Sequence, residues 1–139
     1  MTLADLLKIA AAFGIDKAYL RQLVIEEGLP FARRWVKGEI RERMEARIPK
    51  ILKNLAQKAP LDGKKRKDKD GVEWEDWQFL CHESLYLLVK VVVIRGGLFV
   101  DGWRDAHLSK VMASVESGER STPEAVVRAT MDAELDLTF

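Results

Sequence analysis

Lys17, Arg21 and Gln22 lie in the stretch IAAAFGIDKAYLRQLVIEEGLP, residues 9–30, and are the residue types that read duplex DNA. Arg and Lys can bond guanine O6 and N7, and Gln can bond adenine N6 and N7. Tyr19 adds a hydroxyl of the kind that reaches phosphate oxygens. The other candidate groups do not converge. Cys81, His82 and Glu83 are consecutive, so on a helix they point about 100° apart and cannot act on one atom. His107 could meet Cys81 in space, but two histidines and one cysteine without a carboxylate make a poor zinc set. The expectation is a core thiol and surface imidazoles. DKDG, residues 68–71, fails as part of a calcium loop, because the first position would be Arg66 and the twelfth Trp77. There is no glycine-rich phosphate loop, nucleophile elbow or paired-carboxylate signature. The chain is therefore read as a non-enzyme with no cofactor and no metal.

For Lys17, Ala18, Arg21 and Gln22 to share a bare face, they must sit on a helix braced from behind. Leu3, Leu6, Leu7, Ala10, Ala11 and Phe13 recur at helical spacing, with Thr2 as cap and Gly14 as stop. Asp16 caps a second helix, Lys17 to Glu26, whose inner face is Leu20, Leu23 and Val24, and Gly28 and Pro30 end it. Ala10 is small enough for close approach, Gly14 tolerates the turn, and Phe13, Ile15, Leu20 and Leu23 lock the pair.

This stretch resembles the helix-turn-helix superfamily. EEGLPFARRWVKGEI, residues 26–40, further resembles the winged variant found in phage excisionases and small-terminase DNA-binding domains. The resemblance covers about the first third of the chain and implies Lys17, Arg21 and Gln22 as groove readers, with Arg33, Arg34 and Lys37 as phosphate contacts of a basic wing. The residues from Phe31 to Gln57 allow two readings. One is a helix, favoured by Glu39 with Arg43 and by Met44, Ile48, Ile51, Leu52 and Leu55, with Pro49 bending or restarting it. The other is a small hairpin turning at Lys37 and Gly38, with a helix after it. Trp35, among these cations, either stacks on a base or an arginine, or fills the core.

APLDGKKRKDKDG, residues 59–71, reads as a charged loop. Its run Lys64 to Lys67 could reach phosphates, but interleaving with Asp62, Asp68 and Asp70 favours a solvated loop. The expected organisation is a DNA-binding region over 1–58, this loop over 59–72, and a helical core or partner-binding region over 73–139. In the last, Trp74, Trp77, Cys81, Leu85, Leu88 and Val92 fall on one helical stripe, although residues 85–100 could instead hold a strand pair around Gly96 and Gly97. Asp101, Gly102 and Trp103 suggest a turn, Arg104 to Ser117 a helix, and Thr122 with Pro123 a further helix start.

The 139 residues carry a formal net charge of +1, which hides a division. Residues 1–72 hold 17 Lys and Arg against 10 Asp and Glu, and residues 73–139 hold 6 against 12. The asymmetry suggests a polyanion-facing front and an acidic back half for dimerisation or a protein partner; the plainer alternative is mutual neutralisation across an internal or dimer interface. The tail MDAELDLTF offers Leu135, Leu137 and Phe139 as a docking peptide with an apolar anchor and a carboxylate, or as an ordinary folded element. A lone cysteine and the absence of a basic leader or a long apolar run point to a cytoplasmic, non-membrane protein. The fold expected is mainly α: a helix-turn-helix, with a possible small wing, followed by a helical bundle. The function expected is duplex DNA binding by a small regulator, or else a helical-bundle interaction protein without base readout.

Overall fold

The opening residues fold as their capping chemistry dictates. Thr2 Oγ1 accepts from Asp5 N at 3.1 Å while Asp5 Oδ2 accepts from Thr2 N at 3.4 Å, which closes a capping box on helix α1, Leu3–Ala12. Gly14, at φ 77°, turns the chain, and Asp16 Oδ1 accepts from Ala18 N at 2.8 Å to start α2, Lys17–Glu27. The computed structural model describes residues 1–89, 103–118 and 120–139.

Gly28 reverses the chain at φ 90° and ψ 160°, and α3, Leu29–Leu55, begins at once. Residues 31–41 are therefore helix, and the wing reading is corrected. The cause is visible in burial: Ala32, Val36, Ile40 and Met44 are all buried while Arg34 and Gly38 between them are exposed, whereas a strand, with its period of two, would turn 34 and 38 to the same face as 32, 36 and 40. Gly38, the turn of the hairpin reading, is exposed within the helix. The helix also runs through Pro49 without restarting. Pro49 lies on the exposed side of the helix, while Ile48 and Ile51 hold the helix to the core.

The charged loop opens a two-stranded antiparallel hairpin that extends past its expected end at 72, β1 (Arg66–Lys67) and β2 (Glu73–Trp74), with Arg66 opposite Trp74 and Lys67 opposite Glu73. Its aspartates build it. Asp62 takes a forked bond from Arg66 at 2.7 and 3.0 Å, and Asp68 accepts from Trp74 Nε1 at 2.8 Å and from the Asp70 and Val72 amides at 2.9 Å each. Those donors hold the Asp62 and Asp68 carboxyls below the usual range, through Arg66 and Trp74 respectively. Trp74 thus lies on a strand rather than on the helical stripe expected for it.

Three further helices complete the described fold: α4 (Asp76–Leu88), α5 (Trp103–Ser117) and α6 (Pro123–Thr138). Thr122 Oγ1 caps α6 through Ala125 N at 3.1 Å, with Pro123 in the first turn. The chain is helical through Leu88; the alternative strand pair around Gly96 and Gly97, Val92 and the turn at 101–102 lie outside the described residues. α4 is buried nearly all round, through Trp77, Phe79, Leu80, Cys81, Ser84, Leu85 and Leu88, and packs against α3, α5 and α6. One apolar cluster runs from Leu6 on α1 through α3 and α4 to Leu135 on α6. Among the described residues, no helix is long and apolar enough to cross a membrane.

Candidate functional site

The α1–α2 pair shows the bracing that the locking residues require. Ala10 and Leu20 are fully buried, Phe13 and Ile15 nearly so, and Leu23 is half-buried. The Ile15 amide donates to Ala10 O at 2.9 Å, drawing the turn against α1. Leu20 is the only fully enclosed side chain of α2, so this helix is held by one deep anchor and otherwise lies on the surface.

Its outer face is open. Lys17, Ala18, Arg21 and Gln22 are exposed, and neither Lys17 nor Arg21 makes an ion pair among the described residues. Gln22 Nε2 donates to Glu26 Oε1 at 2.9 Å, a helix-surface bond. Ile25 extends the same face at i+4 from Arg21 and is 77% exposed, a residue the charge-based reading passed over. The spacing 18, 21, 22, 25 carried the signal.

Tyr19 props this helix from the side. Its ring stands 5.3 Å from that of Trp35, tilted by 50°, so Trp35 packs on α2 and is partly withdrawn from solvent. The contact brings the first turns of α3 to α2. Arg34 is exposed and Arg33 half-buried, both without an ion pair among the described residues, so four cations (Lys17, Arg21, Arg33 and Arg34) lie at this end of the molecule.

Lys37 is not part of that group. Its Nζ lies 2.8 Å from Asp136 Oδ1 on α6, and one turn further Arg41 meets Asp132 at 2.7 Å. After another turn Glu45 meets Arg128 at 2.7 Å. The first two rungs join front-half cations to back-half acids, in the sense of the internal-neutralisation alternative, whereas the third is reversed, with the acid on α3 and the cation on α6. No protein-family model, curated protein or solved structure matches this chain.

The C-terminal residues do not form an extended peptide. α6 continues to Thr138, Leu135 is buried, and Leu137 and Phe139 pack half-buried against the core, since α6 keeps its helical burial period with Met131 and Leu135 one turn apart. Leu135, Leu137 and Phe139 thus take the form of the ordinary folded element, the alternative to a docking peptide. The imidazoles also differ from expectation. His82 sits among Trp74, Phe79 and Tyr86 with ring centroids at 5.8, 6.5 and 5.5 Å, and His107 is a half-buried neighbour of Glu134. Cys81 is fully buried, its thiol raised to about 11 by desolvation and hydrogen-bonded to Thr130, so its nucleophilic thiolate is suppressed. No group of three or more metal-ligating side chains occurs among the described residues.

Proposed function

We propose that this chain is a small cytoplasmic DNA-binding protein that reads duplex DNA with the outer face of α2, in the manner of the helix-turn-helix proteins its opening residues resemble. The supporting observation is that face itself: two cations without an ion pair among the described residues, one amide and one aliphatic side chain, open to solvent and braced by Leu20 and by Tyr19 on Trp35. In a major groove, Arg21 and Lys17 suit guanine, Gln22 suits adenine, and Ile25 suits a thymine methyl group. Arg33 and Arg34 keep the backbone-contact role, from the first turns of α3 rather than from a wing, whereas Lys37 is committed to Asp136 and drops from the set. One short helix reads few base pairs, so useful specificity calls for two copies on adjacent half-sites.

A second reading is an interaction module without base readout. Two observations favour it: Ile25 is an unusually exposed aliphatic residue, and the α3–α6 ladder consumes part of the charge asymmetry that suggested a polyanion. Duplex titrations at several salt concentrations separate the two. Binding that discriminates among duplexes and weakens linearly in log–log plots supports DNA reading, and equal affinity for heparin and every duplex supports the second.

A further inference from the structure

A second concave surface lies away from α2, along the seam between α3 and α4. One cavity of about 430 Å³ is walled on the α3 side by Arg47, Lys50, Ile51 and Asn54 and on the α4 side by Tyr86 and Leu87. A neighbouring cavity of about 300 Å³ shares Tyr86 and continues past Lys58 and His82 to Lys69 on the hairpin connection. Arg47, Lys50 and Asn54 recur at i, i+3 and i+7, so they form one edge of α3, and His82 and Tyr86 are one turn apart on α4.

The two walls differ in chemistry. The α3 wall is cationic, and the hairpin connection adds one more charge. Lys50 on α3 and Lys69 on the connection are exposed and make no ion pair among the described residues, while Arg47 is steadied by the Phe13 ring at 5.5 Å and by Leu88 O at 3.4 Å. The α4 wall is aromatic: His82 and Tyr86 have ring centroids 5.5 Å apart, and Trp74 on β2 backs His82 at 5.8 Å. Three acids, Asp68, Asp70 and Glu83, also line the smaller cavity; Asp70 is exposed at its edge, and the other two are engaged. Glu83 pairs with Lys58 at 3.4 Å, and Asp68 accepts the three N–H bonds that shape the turn.

We propose that this groove binds a single strand of nucleic acid, its backbone along Arg47, Lys50 and Lys69 and its bases turned toward His82, Tyr86 and the exposed Leu87. A cationic edge facing an aromatic tier is the arrangement that holds an unpaired strand without sequence preference, because every base has a face to stack and every phosphate a charge to neutralise. Duplex DNA fits it poorly, since paired bases have no free faces to offer and the cavities have the size of single nucleotides. The inference does not rest on α2, and its failure leaves the duplex reading untouched.

The test is fluorescence anisotropy of the full chain with labelled oligothymidylate of about ten nucleotides. Lys50→Ala with Lys69→Ala should weaken binding about tenfold and flatten the salt slope by about 0.7 per lysine, the value for single strands, with duplex sequence preference unchanged. Tyr86→Leu should weaken binding about tenfold with the salt slope intact, since stacking releases no counterions; its fold is checked by circular dichroism. Should Tyr86→Leu fail to fold, the two exposed lysines still decide the question. Absence of oligothymidylate binding, indifference to the lysine pair, or heparin displacing the strand as readily from Tyr86→Leu as from the parent overturns the proposal, the last marking a plain polyanion patch.

Discussion

Lys37 on α3 and Asp136 on α6 are joined at 2.8 Å, the first rung of an antiparallel ladder continued by Arg41 with Asp132 and Glu45 with Arg128. The rungs fall every four residues on both helices, and between them lie Ile40, Met44, Met131 and Leu135 of the core. The ladder flanks an apolar seam and fixes how α6 registers on α3. Each rung is half-exposed and individually weak. A double-mutant cycle on Arg41→Ala and Asp132→Ala should give a coupling of about 0.5 kcal/mol, within the range for solvent-exposed pairs, and should shrink in high salt. A coupling above about 2 kcal/mol, or one indifferent to salt, contradicts that account.

The same relationship separates the basic residues by role. Lys37→Ala should leave the salt slope of duplex binding unchanged, whereas Arg33→Ala with Arg34→Ala should reduce it by about one unit per residue. Filter binding at graded salt reads both.

Gly28 and Gly14 differ in what they permit. Gly28, at φ 90° and ψ 160°, occupies a region open essentially to glycine alone, although a Cβ there would meet only Pro30 Cδ at 3.8 Å. Gly28→Ala should therefore cost about 1–3 kcal/mol from backbone strain. Gly14→Ala, in the milder left-handed region at φ 77°, should cost about 1–2 kcal/mol. Gly38→Ala should stabilise by about 0.5–1 kcal/mol, because the site is helical and its added methyl meets nothing within 4 Å. Urea unfolding of the three variants checks the order.

Glu134 is 2% exposed, and burial raises its carboxyl from the usual 4.5 to about 7. Thr138 Oγ1 donates to its Oε1 at 3.0 Å. His107 Nε2 lies 3.8 Å from the same oxygen, which by distance alone suggests an ion pair, but burial pushes the imidazole down, aided by Lys110. Both groups are thus held toward their neutral forms near pH 7, and the contact is not a strong ion pair. Because the folded state binds the Glu134 proton more tightly than the unfolded chain, its contribution to stability is complete below about pH 4.5 and is lost as pH rises to about 7, by up to about 3 kcal/mol. His107 has the opposite sign, with stability lost as pH falls through and below its ordinary value. Thermal unfolding from pH 4.5 to 8 should show Glu134→Gln with a flatter alkaline side than the parent; equal slopes contradict the assignment.

Much of this fold is written locally. Thr2, Asp16 and Thr122 announce their helices because a cap is chemistry within three residues, and the buried set Ala10, Phe13, Ile15 and Leu20 follows from helical spacing around one glycine. What failed to show is what depends on partners distant in the chain. Residues 31–41 satisfy both a hairpin turn at Gly38 and a helix, and only packing of Val36 and Ile40 into the core decides between them. Lys37 reads as a free cation until Asp136, 99 positions later, is placed beside it. The aspartates of the charged loop look like charge dilution until Trp74 and Arg66 are seen to bond them. For the candidate site, the cationic residues of α2 were legible, whereas Ile25 needed its spacing weighed above its apolar type.

The central claim is that the Arg21 face of α2 reads base edges, and selection from a randomised duplex pool tests it most directly. The parent should enrich a defined motif, and Arg21→Ala, a surface change that leaves Leu20 and Trp35 in place, should lose preference at one guanine position while keeping the remainder. Enrichment of no motif by the parent, or an identical motif from Arg21→Ala and Lys17→Ala, contradicts the claim.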